Sequence, residues 1–224
     1  MIVLSCEGRA ALPVGKVVAV GRNFVDHAKE MGHAARDAEP LLFLKPASAL
    51  RPSGGAIALP RHSKKVHHEV ELVVRLGRDL RAGDEAAAAA AIDAIAVGLD
   101  LTARDLQETA KQRGDPWAVA KGFDDSAPLS PLVPLDDPRQ LRALELSLTV
   151  NGELRQRGAT RDLVTPVVPL VAFVSHRFRL EAGDLLFCGT PAGVGPLVVG
   201  DRAGAELRAE GGGAPLATLA ISCC

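Results

Sequence analysis

The sequence predicts an α+β fold, mainly β, in one domain built around antiparallel or mixed sheet. Three observations carry this. Short apolar runs with strand character dominate the second half, helical stretches interrupt only the first half, and no internal repeat divides the chain. At 224 residues, 47% hydrophobic and 24% charged, the chain is long enough to bury a substantial core in a single unit covering 1–224.

The elements follow in order. After a short N-terminal segment, 1–15, "VVAVGRN" (17–23) reads as a strand running into a turn. Asn23 is placed to cap a short helix, "FVDHAKEM", which Gly32 ends; so short a helix depends on packing or a ligand. "LLFLKP" (41–46) reads as a buried strand stopped by Pro46, and "KVHHEVELVVRLG" (65–77) as a strand with Val70, Leu72, Val74 and Leu76 on its core face. "GDEAAAAAAIDAIAV" (83–97) holds a run of alanines and predicts a helix. A second helix, "ARDLQETAKQRG", follows "VGLDLT", with Thr102 as its candidate cap. Residues 123–140 are proline-rich and irregular. Strands resume at "LELSLTVNGELRQ", a hairpin turning at Asn151-Gly152, then at "DLLFCG" and in a last hairpin, "AELRAEGGGAPLATLAI".

Composition narrows the partners. The formal net charge is −1, aromatics are 3% and tyrosine is absent, which argues against nucleic acid and against an anionic membrane surface. The N-terminus lacks a signal-peptide pattern, and no apolar run is long enough to span a membrane. Cys6, Cys188, Cys223 and Cys224 form neither a C-x-x-C pair nor a disulfide framework, so a reducing cytoplasm is expected.

The opposite face of the strand 65–77 raises the chemical question. Glu69 and Glu71 share that face, beside His67 and His68. A solvated face is one explanation, and Arg75 on the same face fits it. The other is that two oxygen ligands aim at one hard cation such as Mg²⁺ or Mn²⁺, with Asp100, which interrupts the apolar "AVGLDLT", as a third. The two histidines offer a rival ligand set, but no zinc spacing supports it. His27 and Glu30 stand three apart, so a helix brings them together as an oriented base or as an ordinary surface pair. Arg104, Gln107 and Lys111 share one helical face. Lys45 and Lys121 are lone lysines among apolar residues, either snorkelling or paired with carboxylates. "GTPAGVG" (189–195) is not a phosphate loop, yet it can present backbone N–H groups and the Thr190 hydroxyl to a carboxylate.

Taken together, "GRNFVDHAKEMG", "LFLKP", "VHHEVEL", "LDLTARDLQ", "PWAVAKGFD", "VNGELRQ" and "GTPAGVGP" resemble the signature blocks of the fumarylacetoacetate hydrolase family, over about 16–207. The chain is similar to the compact members that hold only the catalytic domain. The resemblance implies a mixed β-sandwich roll, usually a homodimer, with Mg²⁺ or Mn²⁺ held by Glu69, Glu71 and Asp100. It implies a catalytic dyad, His27 and Glu30, on a lid over 23–36. Lys121, Gln107 and Thr190 match residues that hold the keto-acid end of the substrate, with Arg104, Lys45 and Arg22 as further candidates. Phe24, where tyrosine is frequent, and Cys188, where a hydroxyl residue usually stands, depart from the pattern. The implied reaction is hydrolysis of a C–C bond in acylpyruvate-type 2,4-diketo acids (the acetylpyruvate or fumarylpyruvate class), with oxaloacetate decarboxylation as a main or side activity. Its rivals are an isomerase or decarboxylase of aromatic catabolism, and a silent protein that binds a metal and a 2-oxo acid.

Overall fold

The chain is described by a computed structural model that covers residues 2–25 and 39–224. Its centre is a mixed sheet in the order Leu41–Lys45, Val17–Gly21, Leu185–Phe187, Val70–Leu76, Ile92–Leu99, Ala127–Leu129 and Leu50–Pro52, with Val133–Pro134 added beside Ile92–Leu99. Two neighbouring pairs run parallel, Leu185–Phe187 with Val17–Gly21 and Ala127–Leu129 with Leu50–Pro52; the rest are antiparallel. A second sheet, in the order Glu153–Ala159, Leu144–Val150, Arg202–Ala209, Ala217–Cys223 and Ala56–Ile57, packs against the first. Leu72 and Val74 from one sheet and Leu146, Leu148, Leu207 and Leu219 from the other share a core that the helix Val167–Ser175 also enters. On the far face of the central sheet a smaller cluster gathers Val17, Ala19, Val73, Ala96 and Phe187 under the N-terminal hairpin Val3–Cys6/Arg9–Pro13. The expected mainly-β sandwich is therefore present, and its central sheet is covered on both faces.

Several local expectations change. The polyalanine run is helical only over Glu85–Ala91; from Ile92 the chain is a strand, because Ile92–Leu99 pairs along Val70–Leu76 and sheet pairing overrides a helix former's preference. Leu41–Lys45 is a partly exposed edge strand in which only Lys45 is buried. The proline-rich stretch is not wholly irregular: it contributes Ala127–Leu129 and Val133–Pro134 to the central sheet. Arg75 is not solvated: it is 0% exposed. Asn151 and Gly152 both take positive φ, the conformation a two-residue hairpin turn requires.

One feature of the topology positions the site. Val70–Leu76 and Ile92–Leu99 pair up to Val70↔Leu99, and the next rung is the Asp100 N–H donating to the Glu69 carbonyl at 2.8 Å. Beyond it the same two chain segments pair again, as Val66–His68 with Thr102–Ala103, in a small three-stranded sheet completed by Gly195–Leu197. Glu69 and Asp100 thus face each other where both segments pass from one sheet to another.

Candidate metal centre

Glu69, Glu71 and Asp100 are all buried, and one carboxylate oxygen of each lies within 4.8 Å of the others. Three buried cations surround them. Lys121 donates to Glu69 Oε2 at 2.9 Å, to Thr102 Oγ1 at 2.7 Å and to Asp100 Oδ2. Arg104 donates to Glu69 Oε1 and, at 2.5 Å, to Gln107 Oε1. Lys45 Nζ stands 2.8 Å from Asp100 Oδ1, but its hydrogen-bond partners are drawn from the carbonyls of Leu101, Lys121 and Ser126 and from Ser126 Oγ, and Oδ1 receives no aligned hydrogen bond.

The electrostatics are uneven. Burial and the neighbouring Asp100 and Glu69 charges push the Glu71 carboxyl well above the ordinary range, although the Gly189 N–H supports its anion at 2.7 Å. Burial works against the ammonium of Lys121, yet Asp100 and Glu69 outweigh it and hold its pKa above that of an ordinary lysine. For Lys45 burial wins, and its pKa falls despite Asp100. A buried carboxylate left at odds with its neighbours is what an added cation would relieve.

The donor set fits such a cation. All three ligands are carboxylate oxygens, the hard donors that Mg²⁺ and Mn²⁺ prefer. Their oxygens lie within 4.8 Å of one another, close to the ~4.2 Å that two ligands at about 2.1 Å span across such a cation. Glu69, Glu71 and Asp100 are the only such cluster of His, Cys, Asp and Glu side chains among the described residues.

The carboxylates Glu69 and Glu71 open onto a narrow cleft whose walls include Arg22, Arg104, Gln107, Lys111, Lys121 and Thr190. Phe43 and Trp117, whose rings meet at 5.9 Å, form its apolar side. Of the sequence candidates, Lys45 does not line this cleft; it lies beneath the floor, bound to backbone carbonyls. A larger hollow of about 450 Å³ lies by Arg9, Gly77 and Asp93, at the far end of the same strands, but it holds no converging carboxylates. His27 and Glu30, and the expected lid from residue 26 on, lie outside the described residues.

The supporting shell holds residues that sequence reasoning missed. Gln156, buried on the strand Glu153–Ala159 whose other long side chains are exposed, accepts from the Val70 N–H at 3.1 Å, pairs its Oε1 with His68 Nδ1 at 2.9 Å, and donates to Thr190 Oγ1 at 2.8 Å and Pro191 O at 2.9 Å. It thereby ties the carboxylate strand to the Thr190 turn, and His68 is a structural partner. His67 is held neutral, its pKa lowered to about 4 by burial and by Arg104. Asn23 joins two loops: its Oδ1 accepts from the Thr165 N–H, and its Nδ2 donates to the carbonyls of Thr165 and Cys188, while the helix it is expected to cap lies largely outside the described residues. Gly189 abuts Asn23 closely, where a Cβ would sit 2.8 Å from Asn23 Cβ, and its φ of +103° is one that glycine tolerates. Thr102 does not cap the helix Arg104–Arg113 either, because its hydroxyl donates to the Asp100 carbonyl and accepts from Lys121. Phe24 is a core residue bridged to Leu163, where a tyrosine hydroxyl would need a buried partner.

The family model described as "Fumarylacetoacetate (FAA) hydrolase C-terminal" matches residues 16–219. The chain belongs to the fumarylacetoacetate hydrolase family. Among curated members, it is 48% identical over 194 residues to oxaloacetate tautomerase YcgM of Escherichia coli (strain K12), covering 85% of this chain and 87% of that one. It is 45% identical over 186 residues to the mitochondrial oxaloacetate tautomerase of Mus musculus, covering 83% and 84%. Among solved structures of the family, fumarylpyruvate hydrolase from Pseudomonas aeruginosa in complex with Mn²⁺ and pyruvate superposes with a TM-score of 0.90 at 36% identity, covering 99% of this chain and 95% of that one. Among the described residues, no helix is long and apolar enough to cross a membrane.

Proposed function

We propose that this chain is a single catalytic domain that acts on small 2-oxo acids with a divalent cation, through the enolate at C3, and that keto–enol interconversion of oxaloacetate is its principal reaction. The observation that carries the proposal is the convergence of three buried carboxylates, two of them opening onto a cleft whose walls carry cations. The two relatives named oxaloacetate tautomerase support the choice of reaction, which the sequence expectations did not include.

Glu69, Glu71 and Asp100 would hold Mg²⁺ or Mn²⁺, which would supply a Lewis acid for negative charge developing on the substrate. Lys121, fixed between Glu69, Asp100 and Thr102, sets a full positive charge beside the carboxyl end of the substrate. Gln107, itself held by Arg104, and Thr190, held by Gln156, offer hydrogen bonds to that same end. Interconversion removes a proton from C3 and returns one to oxygen, and we assign that transfer to His27, oriented by Glu30, from their spacing and the family pattern.

The fumarylpyruvate hydrolase likeness favours a second reading, hydrolysis of an acylpyruvate. Here His27 takes a proton from the water that attacks the distal carbonyl, and cleavage leaves the enolate of pyruvate. Oxaloacetate decarboxylation reaches the same enolate without that water. One experiment ranks the three: measure oxaloacetate enol decay, acetylpyruvate hydrolysis and pyruvate release in Mn²⁺, for the wild type and His27→Ala. Tautomerisation should show the highest kcat/KM, and EDTA should abolish every activity. Rates untouched by EDTA would remove the metal from the proposal; a higher kcat/KM on acetylpyruvate would make hydrolysis the principal reaction. Thermal stabilisation by oxalate without any turnover would leave a silent binding protein.

Four unpaired cysteines, three of them buried, support a reducing compartment such as the cytoplasm. The family pattern supports a homodimer, and light scattering at working concentration tests it.

A further inference from the structure

We infer that Arg22 and Lys111 form a clamp for a second carboxylate at the mouth of the cleft, which makes the preferred substrate a 2-oxo dicarboxylate. The inference rests on the metal-dependent reading above and adds a determinant of selectivity to it.

The argument begins with the charges already matched. Lys45, Lys121 and Arg104 each contact one or two of the three converging carboxylates. Arg22 and Lys111 line the same cleft; the Glu69 charge reaches Lys111, but no salt bridge joins either cation to an acid among the described residues. Lys111 is partly buried with its ammonium 5.4 Å from the centre of the Trp117 ring, a cation–π contact beside the cleft. Burial, then the charges of Arg104 and Arg22, lower its pKa by more than the Glu69 charge raises it, so these cations stand close enough to repel one another. Arg22 itself takes a φ of +63°, a left-handed conformation that costs a non-glycine residue free energy and that marks functional positions more often than structural ones.

A monocarboxylic 2-oxo acid does not relieve this arrangement. Its one carboxylate and its keto oxygen are taken up at the floor, near Lys121, and it brings no second carboxylate to the Arg22–Lys111 pair. A dicarboxylate such as oxaloacetate places its second carboxylate beyond C3, on the side of the cleft away from the floor. There a guanidinium can take both oxygens while the ammonium adds a third donor. A site built to hydrogen-bond a group discriminates strongly against analogues that lack it.

The test compares ligands that differ in the far carboxylate, using Lys111→Met and, as an independent variant, Arg22→Asn, since Asn tolerates the left-handed conformation. Titrate the Mn²⁺-loaded protein with 3,3-difluorooxaloacetate, which cannot enolise, and with oxalate, which has no far carboxylate. In parallel, measure kcat/KM for oxaloacetate and acetylpyruvate. In each variant the affinity ratio of difluorooxaloacetate to oxalate, and the kcat/KM ratio of oxaloacetate to acetylpyruvate, should fall about tenfold or more, with Lys111→Arg restoring much of it. Affinity ratios that stay within about twofold of wild type in both folded variants would overturn the clamp, whether both ligands weaken together or neither does. The binding titration needs no turnover. If no substrate reacts while the affinity ratio still falls, the catalytic reading fails and the clamp stands.

Discussion

The strand Val70–Leu76 carries two buried charges on one face, Glu71 near its start and Arg75 near its end, and the two are treated in opposite ways. Arg75 is fully served. Its Nε and Nη2 donate to the two oxygens of Asp93 at 2.9 and 2.7 Å, and its Nη1 reaches the carbonyls of Leu4 and Ala10. A register shift between Arg75 and Leu76 leaves Asp93 as the extra residue that meets it. Glu71 has a single backbone donor and two carboxylate neighbours, and burial with that repulsion pushes its pKa up. A bidentate, saturated pair holds structure together; a crowded carboxylate that its neighbours leave unsettled is poised to take a ligand.

Substitutions at the two ends should therefore separate activity from stability. Glu71→Gln is expected to lower kcat by about a hundred- to a thousandfold and to weaken Mn²⁺ binding, while the metal-free protein melts at or above the wild-type temperature because a repulsion is gone. If its metal-free melting temperature falls as far as that of an Arg75 variant, the contrast is broken. Arg75→Met should cost about 3 kcal/mol, since it removes a buried bidentate partner and orphans two carbonyls. Scanning calorimetry should find Mn²⁺ affinity almost unchanged in whatever fraction of that variant folds. Adding Mn²⁺ at about a hundred times its dissociation constant should stabilise the wild type by about 2.7 kcal/mol and do little for Glu71→Gln. Gln156→Ala lies between the two classes. Stripping Val70, His68 and Thr190 of their shared partner should cost about 2 kcal/mol and also raise KM, because Thr190 loses the donor that orients it.

How much of this was legible depended on how local the cause was. The two-residue period put Glu69 and Glu71 on one face, and Asp100 stood out as an acid in an apolar strand; the structure brings those three together. The same period made Arg75 look solvated, because what buries it comes from residues 65 to 71 positions away and from a bulge that no pattern announces. Gln156 was hidden in a hairpin strand whose other long side chains are exposed, so only the tertiary packing distinguishes it. The helix Val167–Ser175 escaped notice because its β-branched residues and Pro169 argue against a helix, although a proline in the first turn removes no helical hydrogen bond. Polyalanine misled in the other direction: it starts a helix properly, with Asp84 accepting from the Ala87 N–H, but has no means of carrying it past Ile92.

The even spacing between Glu71 and Arg75 has a consequence for folding. In this central strand, paired antiparallel on both sides, a slip of one residue would turn both charges into the apolar core that Val70, Leu72 and Val74 fill. The misplaced arginine would lose Asp93 at one end while valine and leucine side chains faced the carboxylate floor at the other. Each end of the strand thus proofreads the alignment of the other, so the residues that prepare the site for a cation also tell the chain when its sheet is in register.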